Sequence, residues 1–395
     1  MISIEEKSRC SGCYACANVC PKNCIQMISD EEGFWYPQID KEKCINCSMC
    51  EKVCPSIHKW QPYESREAIA MAAINLNNKI RSKSSSGGIF MLIAEEIIKQ
   101  GGVVFGAAFA DDFRSVHHIF VDNPNDLEKL RGSKYVQSSI GETYKLAKEF
   151  LDCGRKVLFT GTPCQIEGLY SFLNNSYDNL LLVDFVCHGV PSPGIWKKYL
   201  DYREGKDGKV IDEIMFRSKK RNWRQYYFSY RTNNGKTINI HRSDDPFLQS
   251  FLKSYSLRPS CYSCRFKGKE RLADITLSDF WMVNQFLNGM DDEMGTSLLY
   301  IHSTKGLDII SNIKSYIVSQ KVGFDETADV NTAMIDSSTC PNDRSVFFER
   351  INTDGWADVC KTMFPKRKLK TKIIDWLKST KRKIRHNYTH IKSLL

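Results

Sequence analysis

The chain of 395 residues is long enough for two or three domains, and no run approaches the roughly 18 apolar residues of a membrane-spanning helix. The formal net charge of +10 excludes few functions, because it comes from the C-terminus: residues 361–395 carry twelve Lys or Arg and one acid. The other 360 residues have a net charge of −1. Sixteen cysteines behind an N-terminus without an export signal predict a reducing cytoplasm in which the thiols bind metals.

Eight cysteines lie in the first 54 residues, in two runs that both read C-x2-C-x2-C-x3-C-P at an offset of 34 residues. This is the ligand pattern of a bacterial two-cluster ferredoxin, in which the fourth cysteine of each run binds the other cluster. Zinc knuckles and disulfides fit these runs less well. We therefore predict two [4Fe-4S] clusters within residues 1–60. The predicted ligands are Cys10, Cys13, Cys16 and Cys54 for one cluster, and Cys44, Cys47, Cys50 and Cys20 for the other. Cys24 is interpreted as a small buried hydrophobe.

After a linker over residues 60–66, the pattern changes to alternating strands and helices. The predicted elements are a strand over Ala68–Ile74, a helix opened by Ser84–Gly88, a strand over Val103–Phe109, a helix over Tyr144–Asp152, a strand over Lys156–Thr160, a helix beginning near Gln165, a strand over Leu180–Val186, and β-rich structure over residues 210–255. The region 283–360 is less informative.

Two cysteines, Cys164 and Cys187, each follow a predicted strand directly. If these strands are parallel, both cysteines lie at the sheet edge where α/β proteins bind ligands. Together with the pair Cys261 and Cys264, they could hold a third iron–sulfur cluster. The alternative is that all four are packing residues. The remaining cysteines are interpreted as structural: Cys153, Cys340 and Cys360.

Two polar loops could bind a phosphate or a nucleotide. The first opens a helix with hydroxyls, backbone N–H groups and glycines, although an ordinary serine N-cap is an alternative interpretation. The second combines a cation, hydroxyls and an aromatic ring, and its alternative is a solvated loop. The residues in question are Ser84, Ser85, Ser86, Gly87 and Gly88 in the first loop, and Ser133, Lys134, Tyr135 and Gln137 in the second.

These motifs occur together and in order over about residues 1–285, and the chain thereby resembles the coenzyme F420 hydrogenase/dehydrogenase beta-subunit family. The motifs after the cysteine runs are Ser84–Phe90, Gly132–Ser138, Gly161–Gln165, Cys187–Gly189 with Pro191–Pro193, Phe216-Arg217, Cys261-x2-Cys264 and Ala273–Thr276. One departure concerns a Gly-Asp-Phe-Trp-Gly segment of the family, which here reads Ser278-Asp279-Phe280-Trp281-Met282. Both glycines are replaced, so a close backbone approach to flavin or substrate is in doubt.

The resemblance implies an FAD-dependent iron–sulfur oxidoreductase, in which FAD exchanges electron pairs with a substrate and [4Fe-4S] clusters carry single electrons. The substrate is the deazaflavin coenzyme in the founding members, and some relatives belong to cell-surface polysaccharide biosynthesis. The resemblance favours the third cluster and assigns the two polar loops to FAD. The implied fold is α+β and multi-domain, with a two-cluster ferredoxin-like domain followed by an α/β flavin-binding domain. The predicted boundaries are 1–60, 66–150, 151–335 and a tail at 361–395.

Three functions remain open. The chain is predicted to be an oxidoreductase whose redox partner is a ferredoxin or a similar carrier. The rivals are an electron-transfer subunit that feeds a separate catalytic chain, and a polysaccharide-assembly scaffold with structural clusters. No acid or base can be assigned, although Lys134 and His188 are candidates by position. Neither the substrate nor the use of coenzyme F420 follows from the sequence.

The C-terminal tail combines many lysines and arginines with apolar residues at helical spacing. This pattern is typical of a basic amphipathic helix, which predicts peripheral contact with the inner face of the membrane. Packing on the acidic body, contact with a partner, or a solvated tail are the alternatives. Nucleic-acid binding is not expected, because no recognition fold accompanies the charge.

Overall fold

The computed structural model describes residues 2–4, 6–62 and 67–365. The predicted amphipathic tail therefore lies almost wholly outside the described residues. Within those three ranges, no helix combines the length and the apolar character that crossing a membrane requires.

The strands, in chain order, are β1 (Ile25–Ser29), β2 (Trp35–Ile39), β3 (Ile69–Asn75), β4 (Val103–Phe109), β5 (Val116–Val121), β6 (Val157–Thr160), β7 (Leu180–Phe185), β8 (Val210–Ser218), β9 (Tyr227–Thr232), β10 (Thr237–His241), β11 (Ile275–Asp279), β12 (Ser297–Ile301) and β13 (Ile317–Val322). The helices are α1 (Ala15–Val19), α2 (Met49–Lys52), α3 (Asn78–Lys83), α4 (Ile89–Lys99), α5 (Leu127–Leu130), α6 (Thr143–Asp152), α7 (Pro163–Leu173), α8 (Pro193–Asp207), α9 (Pro246–Leu252), α10 (Val283–Phe286), α11 (Thr304–Asn312), α12 (Phe324–Val330), α13 (Thr332–Ile335), α14 (Arg344–Thr353) and α15 (Gly355–Thr362). Short 3-10 turns lie at Lys7–Arg9, Pro124–Asp126, Pro259–Ser263 and Lys314–Tyr316.

The N-terminal module pairs β1 with β2 in an antiparallel ribbon, and each cysteine run contains one short helix, α1 before the ribbon and α2 after it. The sequence repeat reappears in the backbone, because Gly12 and Asn46 both have positive φ, as do Tyr14 and Ser48. Each pair is separated by the same 34 residues as the cysteine runs. Left-handed residues let each run turn sharply, so the two halves present their cysteines in the same way.

An eight-stranded sheet forms the body, in the order β13-β3-β12-β11-β7-β6-β4-β5. Strands β4, β6, β7 and β11 are parallel, and the outer strands join them antiparallel. The parallel pairing of β6 with β7 confirms that Cys164 and Cys187 lie at one edge of the sheet. Since β4 pairs with β6 and β3 pairs with β12, the segments that the sequence divides at residue 150 share one sheet.

Local sequence explains how this edge is built. Strand β6 runs into Thr162 and Gln165, which form a reciprocal capping box at the start of α7. Pro163 occupies the first helical position, where its missing N–H costs nothing. The helix therefore begins two residues before the predicted Gln165, and Cys164 lies in its first turn.

The module packs closely against α7 of the body. A Cβ atom added to Gly168 would lie 2.9 Å from Cys13 Cβ and 2.8 Å from the Tyr144 hydroxyl. Ser171, one turn further along, donates a hydrogen bond of 2.7 Å to the carbonyl of Val53. Contact at this interface thus depends on a glycine that leaves space for a cysteine of the first run.

Replacing Gly168 with alanine should lower the urea midpoint of anaerobic unfolding, because overpacking costs about 1 kcal/mol or more. Gly205→Ala is the matched control in α8, since its Cβ would meet nothing within 4 Å. Alanine should stabilise that exposed helical position by about 0.5–1 kcal/mol. Equal stability of Gly168→Ala and the wild type would contradict the close contact.

Candidate functional site

The first predicted cysteine set lies together in the structure. Burial raises the pKa of the Cys13 thiol to about 12, and the charges of Cys54 and Cys10 add to this rise. Burial also raises the pKa of Cys16, with contributions from Cys13, Cys10 and Cys54. Such thiols become thiolates only where a positive group compensates them, which is what the iron of a cluster does. These four residues therefore fit a [4Fe-4S] cluster.

The second predicted set lines a small cavity of about 20 Å³. Its members are Cys20, Cys44, Cys47 and Cys50. Cys47 is exposed, so this set reaches the surface of the protein. Cys24 is buried, as expected, but it also lines this cavity, and its sulfur lies 3.3 Å from Cys20 Sγ.

The third predicted set is brought together from three separate segments. Burial raises the pKa of Cys187 to about 12, and the charges of Cys261 and Cys264 add to it. The pKa of Cys164 is likewise raised by burial and then by Cys264 and Cys187. The four thiols therefore interact, as the ligands of one cluster must. Of the cysteines interpreted as structural, Cys153 and Cys340 are exposed, and Cys360 lies beside Tyr202.

The three sets follow one another through the protein. The charge of Cys50, from the second set, contributes to the raised pKa of Cys16 in the first. The charge of Cys13, from the first set, contributes to that of Cys164 in the third. In the described part of the chain, no group of three or more His, Cys, Asp or Glu side chains is spaced for a single metal ion. A four-iron cluster requires wider spacing between its ligands than one ion does.

A cavity of about 590 Å³ lies along the carboxyl edge of the parallel strands. Both polar loops that the sequence singled out contribute to its wall, and so do Cys187 and His188. The loop residues at the wall are Ser84, Ser85, Ser86, Gly88, Ser133, Lys134 and Tyr135. The volume falls in the range of small-molecule and cofactor sites.

The two loops are joined to each other. Ser133 donates two hydrogen bonds to Ser85 Oγ, from its backbone N–H and from its hydroxyl, both at 2.9 Å. Gly88 adopts a left-handed conformation (φ 83°) as the N-cap of α4, and no side chain caps that helix end. The N–H groups of its first turn thus remain available at the cavity wall, where an anion would be stabilised.

Two of the predicted cofactor-binding residues, Gly87 and Gln137, do not line the large cavity. Gly87 packs against the sheet, where a Cβ atom would lie 2.5 Å from the carbonyl oxygen of Ala73. Gln137 is buried at the interface with the module, and its side chain bonds to the Ser11 carbonyl and to Arg258. Neither residue belongs to the cavity wall, so their assignment as cofactor contacts gains no support.

The cavity wall also carries cationic and basic groups. Enclosure by the protein lowers the pKa of Lys134 from 10.5 to about 7, and the nearby charge of Arg131 contributes. Its ammonium donates to the carbonyls of Lys129 and Arg131, at 2.8 and 3.1 Å. Burial likewise lowers the pKa of His188, assisted by the charge of Lys267. Ser254 Oγ lies 3.1 Å from Nε2 of His188.

Arg217 also lines the cavity, although no role for it follows from the sequence motifs. Its guanidinium forms an ion pair of 2.7 Å with Asp279 and lies over the rings of Tyr226 and Trp281. Trp281 in turn stacks on Trp223, with ring centroids 4.5 Å apart. The Phe216-Arg217 motif was the available signal, but the contacts with residues more than 60 positions away could not be foreseen.

Comparison with known proteins gives two family matches. Residues 154–327 match the family described as the C terminus of the coenzyme F420 hydrogenase/dehydrogenase beta subunit, and residues 9–57 match the 4Fe-4S dicluster domain. A chain of the F420-reducing [NiFe] hydrogenase complex from Methanosarcina barkeri is similar at 18% identity, with a TM-score of 0.48. That similarity covers 75% of this chain and 96% of the other. No curated protein matches the chain. The family matches confirm the resemblance and the iron–sulfur module.

The lowered pKa of Lys134 predicts a pH-dependent effect on stability. Between pH 7 and 10.5 the unfolded chain binds the proton that the folded chain has released, so the contribution of Lys134 to stability rises with pH. The urea midpoint of the wild type, relative to that of Lys134→Met, should therefore increase from about pH 6.5 to about pH 9. Lys129→Met, which removes an exposed lysine of α5, is the control substitution. A pH-independent difference for Lys134→Met would refute the prediction.

Proposed function

We propose that this chain, whose residues 154–327 match the coenzyme F420 hydrogenase/dehydrogenase beta-subunit family, is an FAD- and iron–sulfur-dependent oxidoreductase. It would relay electrons between a two-electron substrate at FAD and one-electron carriers. One observation carries the proposal: Cys187 belongs to the third cysteine set and also lines the large cavity. A molecule in the cavity would thus lie beside the end of the relay.

The residues at the cavity wall suit the phosphate-bearing part of FAD. The hydroxyls of Ser85 and Ser133 and the free N–H groups of α4 offer donors to an anion. When bound, FAD supplies the exchange between electron pairs and single electrons. The protein contributes binding, orientation and shielding from water.

The order of the cysteine sets gives the proposed relay a direction in space. The second set is the outer end, because Cys47 is exposed, whereas Cys187 of the third set reaches the cavity. The first set lies between them, because the charge of Cys50 acts on Cys16 and the charge of Cys13 acts on Cys164. A ferredoxin-type partner would exchange electrons at the outer end.

His188 and Lys134 are the proposed proton-holding groups of the cavity. Their lowered pKa values leave His188 neutral, and Lys134 partly so, near neutral pH. Neutral nitrogen bases of this kind can accept a proton that accompanies electron transfer. Ser254, at 3.1 Å from His188 Nε2, fixes the orientation of the imidazole.

The family description as a beta subunit favours a second candidate, an electron-transfer subunit that feeds a separate catalytic chain. The isolated chain distinguishes the two candidates. An oxidoreductase reduces or oxidises its own two-electron substrate without another subunit, whereas a feeding subunit only exchanges electrons with dyes and carriers. A role in polysaccharide biosynthesis stays a prediction from the resemblance.

Iron quantitation tests the third cluster. Anaerobically purified protein should contain about twelve irons per chain, and Cys264→Ser should reduce this to about eight. Cys153→Ser is the matched control, because Cys153 is exposed and belongs to none of the three predicted sets, and it should retain all iron. About eight irons in the wild type would eliminate the third cluster.

Flavin quantitation tests the cavity. Gly132 lies at its wall with φ of 84°, and a Cβ atom there would meet nothing within 4 Å. Asparagine and aspartate both tolerate this conformation. Gly132→Asn should keep its FAD, whereas Gly132→Asp should bind FAD at least about tenfold more weakly, because its carboxylate repels the diphosphate. If the purified wild-type protein contains no flavin, the proposal of an FAD-dependent oxidoreductase is refuted.

A further inference from the structure

Arg258 is a fully buried arginine at the junction of the module and the body. It immediately precedes the 3-10 turn that carries Cys261. Its side chain crosses into the module, where Nε donates to the carbonyl of Cys10 at 2.7 Å and Nη2 donates to that of Trp35 at 2.9 Å. Nη1 donates to Gln137 Oε1 at 3.1 Å. The guanidinium therefore lies between residues of the first and third cysteine sets.

All three acceptors of Arg258 are neutral, and within the described ranges no carboxylate pairs with it. It differs in this from the other arginines that are buried in the described structure, each of which has a carboxylate partner. These pairs are Arg81 with Asp292, Arg203 with Asp207, Arg217 with Asp279, and Arg271 with Asp184. The guanidinium also lies over the Tyr36 ring, 4.2 Å from its centroid, which stabilises the cation in part. A buried cation without a counter-charge is still unfavourable, so we expect an anion nearby.

The cysteine sets on either side can supply that anion. A [4Fe-4S] core bound by four thiolates is negatively charged, and reduction adds one more negative charge. The positive charge of Arg258 already opposes the burial-driven rise in the pKa of Cys261. In addition, the N–H of Cys261 donates to the carbonyl of Arg258 at 2.9 Å. Arg258 is thus hydrogen-bonded both to Cys10 of the first cysteine set and to Cys261 of the third.

We propose that Arg258 is the counter-charge of the first and third clusters, and that its fixed positive charge raises the reduction potentials of both relative to the second. The inference rests on the proposed relay and assigns Arg258 as a positioning residue within it. Each cluster accepts one electron from a reductant, with no bond formed or broken. The nearby guanidinium stabilises the added electron. Reduction of the first and third clusters is therefore favoured over reduction of the second.

The test is an anaerobic redox titration of the full chain with dithionite, followed by electron paramagnetic resonance. Arg258→Gln removes the charge, and it should make reduction of the first cluster about tenfold less favourable, which is about 59 mV for one electron. The third cluster should shift in the same direction. Arg258→Lys keeps the charge and should shift the potentials far less, although it loses the planar fork. The second cluster is the internal reference and should move least.

Gln137→Glu provides an independent test that leaves Arg258 in place. A carboxylate at this position would lie against the guanidinium, neutralise it, and lower the same two potentials. This variant also serves if Arg258→Gln does not fold. The proposal is overturned if Gln and Lys at position 258 shift the potentials equally, or if Gln137→Glu leaves them unchanged. An iron content of about eight per chain would show that the third cluster is absent. The shift in the reduction potential of the first cluster would still test the role of Arg258.

Discussion

The arrangement of this protein depends on how closely the ferredoxin-like module approaches helix α7. Gly168 has no side chain where Cys13 packs, and Gly12 has none where Gln137 and Arg258 pack. A Cβ atom at either glycine would lie under 3.0 Å from its neighbours. Electron transfer falls steeply with distance, so a relay requires this proximity. The two glycines therefore leave the space that the close approach of the module to the body needs.

Burial of the cysteine thiols links metal binding to folding. The pKa of Cys13 and that of Cys187 are both raised to about 12, which means that the folded chain alone disfavours the thiolates that a cluster needs. The iron of a bound cluster would compensate these charges, and its binding energy would then contribute to folding stability. The module, the α7 turn and the loop after β7 should therefore be stable together when the clusters are present.

Sequence patterns predicted the features that are local. The cysteine spacing identified the module, and short apolar runs ending at Thr160 and near Phe185 located the sheet edge, because buried parallel strands are uniformly apolar. Long-range pairing could not be predicted in this way. Strand β12 inserts antiparallel between β3 and β11. Strands from both sides of the predicted boundary at residue 150 therefore lie in one sheet. Gln137 belongs to a polar loop, yet its side chain turns toward Arg258, a residue 121 positions away.

The segment that departs from the family pattern lies at the wall of the large cavity. Ser278 and Met282, which replace the two glycines, both line the large cavity, as does the partly exposed Trp281. Ser278 Oγ accepts a hydrogen bond of 2.9 Å from Asn331, which fixes the side chain in place. Glycine at these positions leaves its space to a ligand, whereas serine and methionine fill part of it. Serine and methionine therefore occupy space at the wall that Trp281 and Asp279 share with Arg217.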